Sequence, residues 1–253
     1  MTEIIVIALA AIVTSFITLI SGFGLGTLLT PVFIFFIPVD LAIALTAVVH
    51  FLNNVFKFGI LFRDVHWKTF LWFGIPGIAG AAYGAYMLMN LSITRTIVFI
   101  GFETDLLRII IGVLMIFFAY TELNPKWSNF QFAPKYLIPG GVLSGFFGGL
   151  SGHQGALRTM FLIRAGLSKE AFISTGVAIA LVVDITRIPV YWSKMSHVDF
   201  EVHKTMLIVA TLAAFGGALI GKKLIKKVTF RAVQVIVGLM LIAIGIALTL
   251  GLI

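Results

Sequence analysis

Two stretches, residues 4–20 and 233–253, run for about twenty residues each without a charged side chain. A helix needs about 20 apolar residues to cross a hydrocarbon layer about 30 Å thick. Eight more apolar segments lie between them, at 27–36, 42–62, 70–89, 106–120, 136–147, 156–163, 172–192 and 205–224. Hydrophobic residues make up 60% of the 253 and charged ones 11%, whereas soluble domains carry about 25% charged residues. One aqueous core cannot hide that much apolar surface, so the chain needs an apolar solvent. In lipid every backbone N–H and C=O must be paired inside the protein, which leaves helices or a closed barrel. Barrel strands alternate polar and apolar residues over about ten positions. These runs are solid, so the fold class is an all-α membrane protein.

The net charge of +8 would suggest nucleic acid in a soluble chain; in this one it fits basic loops on the cytoplasmic face. There is no cysteine, hence no disulfide, thiolate metal site or cysteine nucleophile. The first apolar run lacks a basic leader and enters a glycine break without a cleavage site, so it reads as a retained first helix and not a signal peptide.

The two halves of the chain resemble each other. Ser21-Gly22-Phe23-Gly24-Leu25-Gly26 matches Ser144-Gly145-Phe146-Phe147-Gly148-Gly149. Thr30 and Thr46 are spaced as Thr159 and Thr175 are. The run 80–84 (GAAYG) matches 217–221 (GALIG), and 111–115 (IGVLM) matches 237–241 (VGLML). The shared order makes chance a poor explanation. Residues 1–122 form an N-terminal repeat, 123–135 a linker loop and 136–253 a C-terminal repeat. Inserts near 96–107 and at 150–154 set the halves apart.

Charge indicates how the halves are oriented. If each glycine break lies within one crossing, each half has four spans and the halves run parallel. Arg95, Arg164, Lys169 and the five charges of loop 222–231 then face Lys57, Arg63, Lys68, Lys126, Lys135, Lys194 and Lys204 across the membrane, eight to seven. If each break is the tip of a helical hairpin, each half has five segments and the repeats are inverted. One side then holds Lys57, Arg63, Lys68, Lys126, Lys135, Arg164, Lys169 and the five, and the other Arg95, Lys194 and Lys204, twelve to three. The positive-inside rule favours the second arrangement, with both termini outside. The expected fold is two inverted repeats, each a glycine-broken helical hairpin plus three transmembrane helices.

Inverted repeats with helices broken at mid-membrane are a transporter plan. Unwound backbone is tolerated at that depth only where it is buried in protein or lines a cavity. A helix starting after a break aims its free N–H groups and positive dipole end at it. Two such helices, starting near Thr27 and near Ala156, would make an anion site from Gly22, Gly24, Gly26, Thr27, Ser151, Gly152, His153, Gln154 and Gly155. The competing reading treats these glycines as packing surfaces of the small-xxx-small kind.

The Ser-Gly-Phe-Gly-rich break, the short apolar helix, a turn at Pro38 or at Lys169-Glu170-Ala171, and the helices bearing Thr46 and Thr175, all given twice, resemble the TauE/SafE family of sulfite exporters, also called TSUP transporters. The resemblance covers nearly the whole chain. It implies a polytopic transporter in the cell (plasma or inner) membrane for sulfite, a sulfonate such as sulfoacetate, or a related organic acid. The chain departs from the family pattern at residues 151–158, where a polar, cationic SGHQGALR stands in place of a plainer glycine run.

Ionisable residues at membrane depth are functional candidates. The Arg158 fork of donors suits a sulfonate, sulfite or carboxylate; the alternative is an arginine reaching for the cytoplasmic edge near Arg164. His153 and Gln154 can donate to an anion or cap the unwound backbone. Asp184 and Arg187 stand three apart on one helix face, a structural ion pair or a proton relay, with Pro189 placed to kink that helix. His50, Asn53, Asn54 and Lys57 form a polar stripe facing a cavity or a neighbouring helix. Thr46 and Thr175 are expected to cap or line the same cavity, and His66, His197 and His203 to be solvated.

Ser21–Gly26 follows an apolar helix and not a strand, so it is no dinucleotide loop. No HExxH, cysteine or paired carboxylates lie within the spans, so neither an enzyme nor a metal or cofactor site is expected. An anion channel could use the same paired helix ends, and a structural or assembly role is a third option. The expected mechanism is alternating access around an anion held between the hairpin tips, with proton coupling and a homodimer left open.

Overall fold

The computed structural model describes residues 2–21, 25–91, 96–99, 101–128, 131–194, 200–224 and 230–253. The elements run α1 (Thr2–Ser21), α2 (Leu25–Ile34), α3 (Val39–Leu61), the single turn α4 (Trp67–Thr69), α5 (Ile75–Leu91), β1 (Thr96–Phe99), β2 (Phe102–Asp105), α6 (Leu106–Leu123), the short α7 (Pro125–Ser128), α8 (Leu137–Ser151), α9 (Gly155–Leu162), α10 (Lys169–Lys194), α11 (Phe200–Leu224) and α12 (Phe230–Thr249). Val39–Asp64, Trp67–Leu91, Lys169–Ser193 and Val202–Gly221 are long and apolar enough to cross a membrane. Shorter apolar helices cover Thr2–Thr18, Leu25–Ile34, Leu106–Thr121 and Val237–Thr249.

The residue distribution suits lipid. Ile5, Leu9 and Val13 on α1 and Leu212 and Leu219 on α11 face outward, while His50, Asn53, Lys57, Asp184 and Arg187 are buried. The apolar core nevertheless continues inside, through Leu28, Leu29 and Phe33 of α2 and Ile43 and Leu45 of α3.

Glycine sets the closest helix contacts. Gly141, Gly145 and Gly149, four apart on α8, lie under the backbone carbonyls of Phe73, Gly77 and Ala81, also four apart. The register rises together on both sides, so α8 runs parallel to the 70–91 helix. A Cβ at Gly145 would stand 2.1 Å from the Gly77 oxygen. The helix α11 meets α1 in the same way, with Gly217 against the Ile12 carbonyl. The packing reading of these glycines therefore holds for the contacts within α8, whatever the break itself does.

Contacts also give the direction of other pairs. His50 meets Asp184 and His66 meets Thr175, so α3 and α10 are antiparallel. Gly112 meets Gly245 while Gly238 meets Leu123, so α6 and α12 are antiparallel. Gly140 touches Phe161 and the Ser144 hydroxyl donates to the Gln154 carbonyl, so α9 folds back along α8 as a hairpin.

The insert after α5 is a β-hairpin, Thr96 opposite Asp105 and Phe99 opposite Phe102, turning at Gly101 with φ +83°. Asp105 ends it and caps α6, its side chain accepting from the Arg108 N–H at 2.8 Å. The linker region carries α7. Lys57, counted above with the loops, is buried on α3. A lysine on the inner face of a helix reports nothing about loop charge, so the comparison becomes eleven to three.

Candidate functional site

The centre of the molecule is built from α10 upward. Asp184 is fully buried and takes three contacts. Its Oδ2 lies 2.6 Å from His50 Nδ1, and its Oδ1 accepts from Arg187 Nε at 2.9 Å. Arg187 Nη2 is 2.8 Å from the same Oδ1, an ion-pair contact that falls outside hydrogen-bond geometry. The remaining Arg187 nitrogen, Nη1, donates to the Gly148 carbonyl at 2.8 Å. Tyr191, one turn further along α10, donates to the Gly149 carbonyl. The Gly148 carbonyl also accepts the Gly152 N–H at 3.1 Å, and carbonyls in the last turn of a helix carry its negative dipole end. A guanidinium and a phenol from α10 therefore tie down the end of α8 just ahead of the break.

The break itself turns at Gly152, with φ +80°, a left-handed conformation that side chains resist. A Cβ there would meet Arg187 Nη1 at 3.5 Å and Thr30 Oγ1 at 3.9 Å. From the other half, Gly26 in the first turn of α2 presses on the Gly152 carbonyl, 3.1 Å from its Cβ direction. The structure thus brings the first turn of α2 against the break that precedes α9. Gly22 and Gly24 lie outside the described residues. Thr27, Ser151, Gly155 and the side chains of His153 and Gln154 are all buried.

Several buried polar atoms here have no partner among the described residues: Thr30 Oγ1, His153 Nε2, both amide atoms of Gln154, and Arg158 Nη1. Buried polar groups are nearly always satisfied, so a cluster of orphans calls for an explanation. His153 Nδ1 lies 2.9 Å from the Ser151 carbonyl, which can only accept, so Nδ1 carries the proton. In a neutral ring Nε2 is then an acceptor and meets a protonated group better than a bare oxyanion. The imidazole lies parallel to the Phe118 ring of α6, 5.4 Å between centroids.

The α3 stripe turns inward as a unit. Asn54 Nδ2 is 3.2 Å from His50 Nε2, Asn53 Oδ1 accepts from Ser15 Oγ at 3.2 Å, and Lys57 Nζ donates to Thr18 Oγ1 at 3.3 Å. Asn53 Nδ2 and Thr46 Oγ1 have no partner among the described residues. Among the described residues Asp184 is the sole buried carboxylate, while Lys57 and Arg187 are buried cations and Arg158 is a half-buried one. No three His, Asp or Glu side chains among the described residues come together as metal ligands would.

The Thr175 hydroxyl accepts the His66 N–H at 2.9 Å, so it stitches α10 to the 64–69 turn. His66 is exposed, but its ring caps α4 through the Thr69 N–H; His203 is half-buried and His197 lies outside the described residues. Sequence reasoning overlooked Tyr191, Phe118, Ser15 and Thr18. Tyr191 stood four after Arg187 on the same helix face, and Ser15 and Thr18 stood three apart on α1, so spacing could have found these three. Phe118 gave no signal among so many phenylalanines.

No curated protein and no solved structure matches the chain significantly. One family model does, described as Sulfite exporter TauE/SafE, over residues 7–248.

Proposed function

The chain belongs to the TauE/SafE sulfite exporter family and is a multi-pass membrane transporter, and from that premise we propose that its cargo is a small anion bound where the two breaks meet. The observation that carries this is charge. Among the described residues three inward cations, Lys57, Arg158 and Arg187, stand against one buried carboxylate, Asp184, which is already bonded to Arg187 and His50. Unpaired charge in the interior is costly unless something neutralises it. An anion at the orphaned donors of Gln154 and Arg158 supplies the missing charge and the missing hydrogen bonds together. Sulfite, a sulfonate such as sulfoacetate, and a small carboxylate all fit that chemistry.

The halves act as inverted repeats, residues 1–122 and 136–253, joined by the 123–135 linker. The antiparallel pairs α3/α10 and α6/α12 support this, since halves running parallel would make both pairs parallel. The hairpin formed by α8 and α9 supports it too. With eleven basic residues on one side and three on the other, both termini lie outside the cell membrane. An N-terminal tag is expected to be labelled by an impermeant reagent on intact cells; labelling only after permeabilisation contradicts the topology.

Transport proceeds by alternating access, one half rocking against the other around the bound anion. Arg158→Ala, reconstituted in proteoliposomes, is expected to lose flux on the order of tenfold or more, the scale of a charged hydrogen bond. Normal flux from the folded variant refutes the site. Saturation and trans-stimulation mark a carrier, and single-channel currents would mark a channel instead. Because His50 and Asp184 share a hydrogen bond, they form the proton-coupling pair. A pH gradient should drive flux in the wild type and fail to do so in Asp184→Asn; equal stimulation in both rejects coupling through this pair.

A further inference from the structure

The antiparallel pairing of α3 and α10 places two further groups at one level. His50 meets Asp184, and Lys57 lies seven residues beyond His50, about 10 Å along α3. Gly176 lies eight residues before Asp184, about 12 Å along α10 in the same direction. The contact of His66 with Thr175 further along confirms that direction.

The Arg158 guanidinium reaches this level as well. It lies flat against Gly176, with Nε 3.4 Å, Cζ 3.7 Å and Nη2 3.8 Å from where a Cβ would stand. An added Cβ would make ordinary van der Waals contact with the guanidinium, and a side chain longer than alanine would push it away. Lys57 is 5% exposed and donates to the neutral Thr18 hydroxyl at 3.3 Å. Arg158 Nη1 is buried without a partner. Lys57 stands two turns after His50, so it shares the face of α3 that His50 turns toward α10, the helix Arg158 lies against. Asp184 stands two turns away and is engaged by His50 and Arg187. Two like charges brought together inside a protein need a counter-charge, and Asp184, the one buried carboxylate among the described residues, already serves two other partners.

We propose that Lys57 and Arg158 form a two-cation clamp that selects divalent over univalent anions. This rests on the anion reading above and adds the valence of the cargo. A point charge from Lys57 and a planar fork from Arg158 approach the anion from α3 and α9, respectively. A univalent anion leaves one cation uncompensated, whereas a divalent one satisfies both.

The test is uptake into proteoliposomes of two pairs matched in size: thiosulfate against methanesulfonate, and sulfoacetate against isethionate. Wild-type protein should prefer the divalent member of each pair. Lys57→Met should lower the divalent-to-univalent ratio at least tenfold, and Lys57→Arg, which keeps the charge, should retain it. Comparable wild-type flux of both members overturns the clamp, and so does an unchanged ratio in Lys57→Met. Both of those results leave the anion reading standing. Wild-type protein that is folded and moves neither class refutes both readings.

Discussion

Asp184→Ala is expected to cost about 3–5 kcal/mol of stability, the scale of removing one partner from a buried ion pair. The substitution strips an acceptor from Arg187 Nε and His50 Nδ1 at once. Arg187 is 1% exposed and cannot turn to water, so its charge stays buried with the Gly148 carbonyl as its remaining hydrogen-bond acceptor. Asp184→Asn keeps the volume and one acceptor oxygen, so it should lose less. Glu170→Ala is the control, because Glu170 is exposed in the first turn of α10 and surface changes usually stay within about 0.5 kcal/mol. Thermal unfolding of the purified proteins in one detergent gives the comparison. If Asp184→Ala and Glu170→Ala melt together, the central pair does not hold the fold.

Gly145→Leu should be as damaging for a different reason. Its Cβ would stand 2.1 Å from the Gly77 oxygen and 2.8 Å from the Gly77 carbonyl carbon. Those are backbone atoms, so no rotamer change relieves the clash and α5 and α8 must separate. Overpacking typically costs about 1–3 kcal/mol and more where nothing can yield. Separation would also loosen Gly141 and Gly149 in the same row, so the loss should reach the upper end of that range or exceed it. Gly59→Leu makes a matched control on α3, where a Cβ would meet nothing within 4 Å. Folded yield by size-exclusion chromatography and the melting midpoint both report the difference. Equal behaviour of the two variants would show that the glycine row does not set the helix spacing.

Both experiments probe features only half legible in the sequence. Gly145 and Gly149 were legible only as part of the Ser144–Gly149 match to the first half, and their row with Gly141 was not singled out. The contacts divide them: the row within α8 packs against carbonyls, and Gly152, with its positive φ, makes the turn. Asp184 and Arg187 were readable as a pair because both sit on one helix, three apart. The third member, His50, is 134 residues away from Asp184, and no local spacing links them. Lys57 shows the same limit from the other side. Its sequence fits both a loop charge and the polar stripe of α3, and only the packing of α3 against α1 puts it next to Thr18.

Composition and unbroken apolar runs determined by themselves that this chain folds as helices in lipid, because hydrocarbon leaves the backbone no other way to satisfy its polar groups. The polar stripe on α3 likewise marked a face that is buried, because helical periodicity puts residues three and four apart on one face. Only the tertiary structure decided which faces meet. It set His50 against Asp184, closed Arg187 over the end of α8, and brought Lys57 level with Arg158. Those choices depend on helix direction and on how closely backbones approach at glycine, and neither is written in the spacing of any single helix.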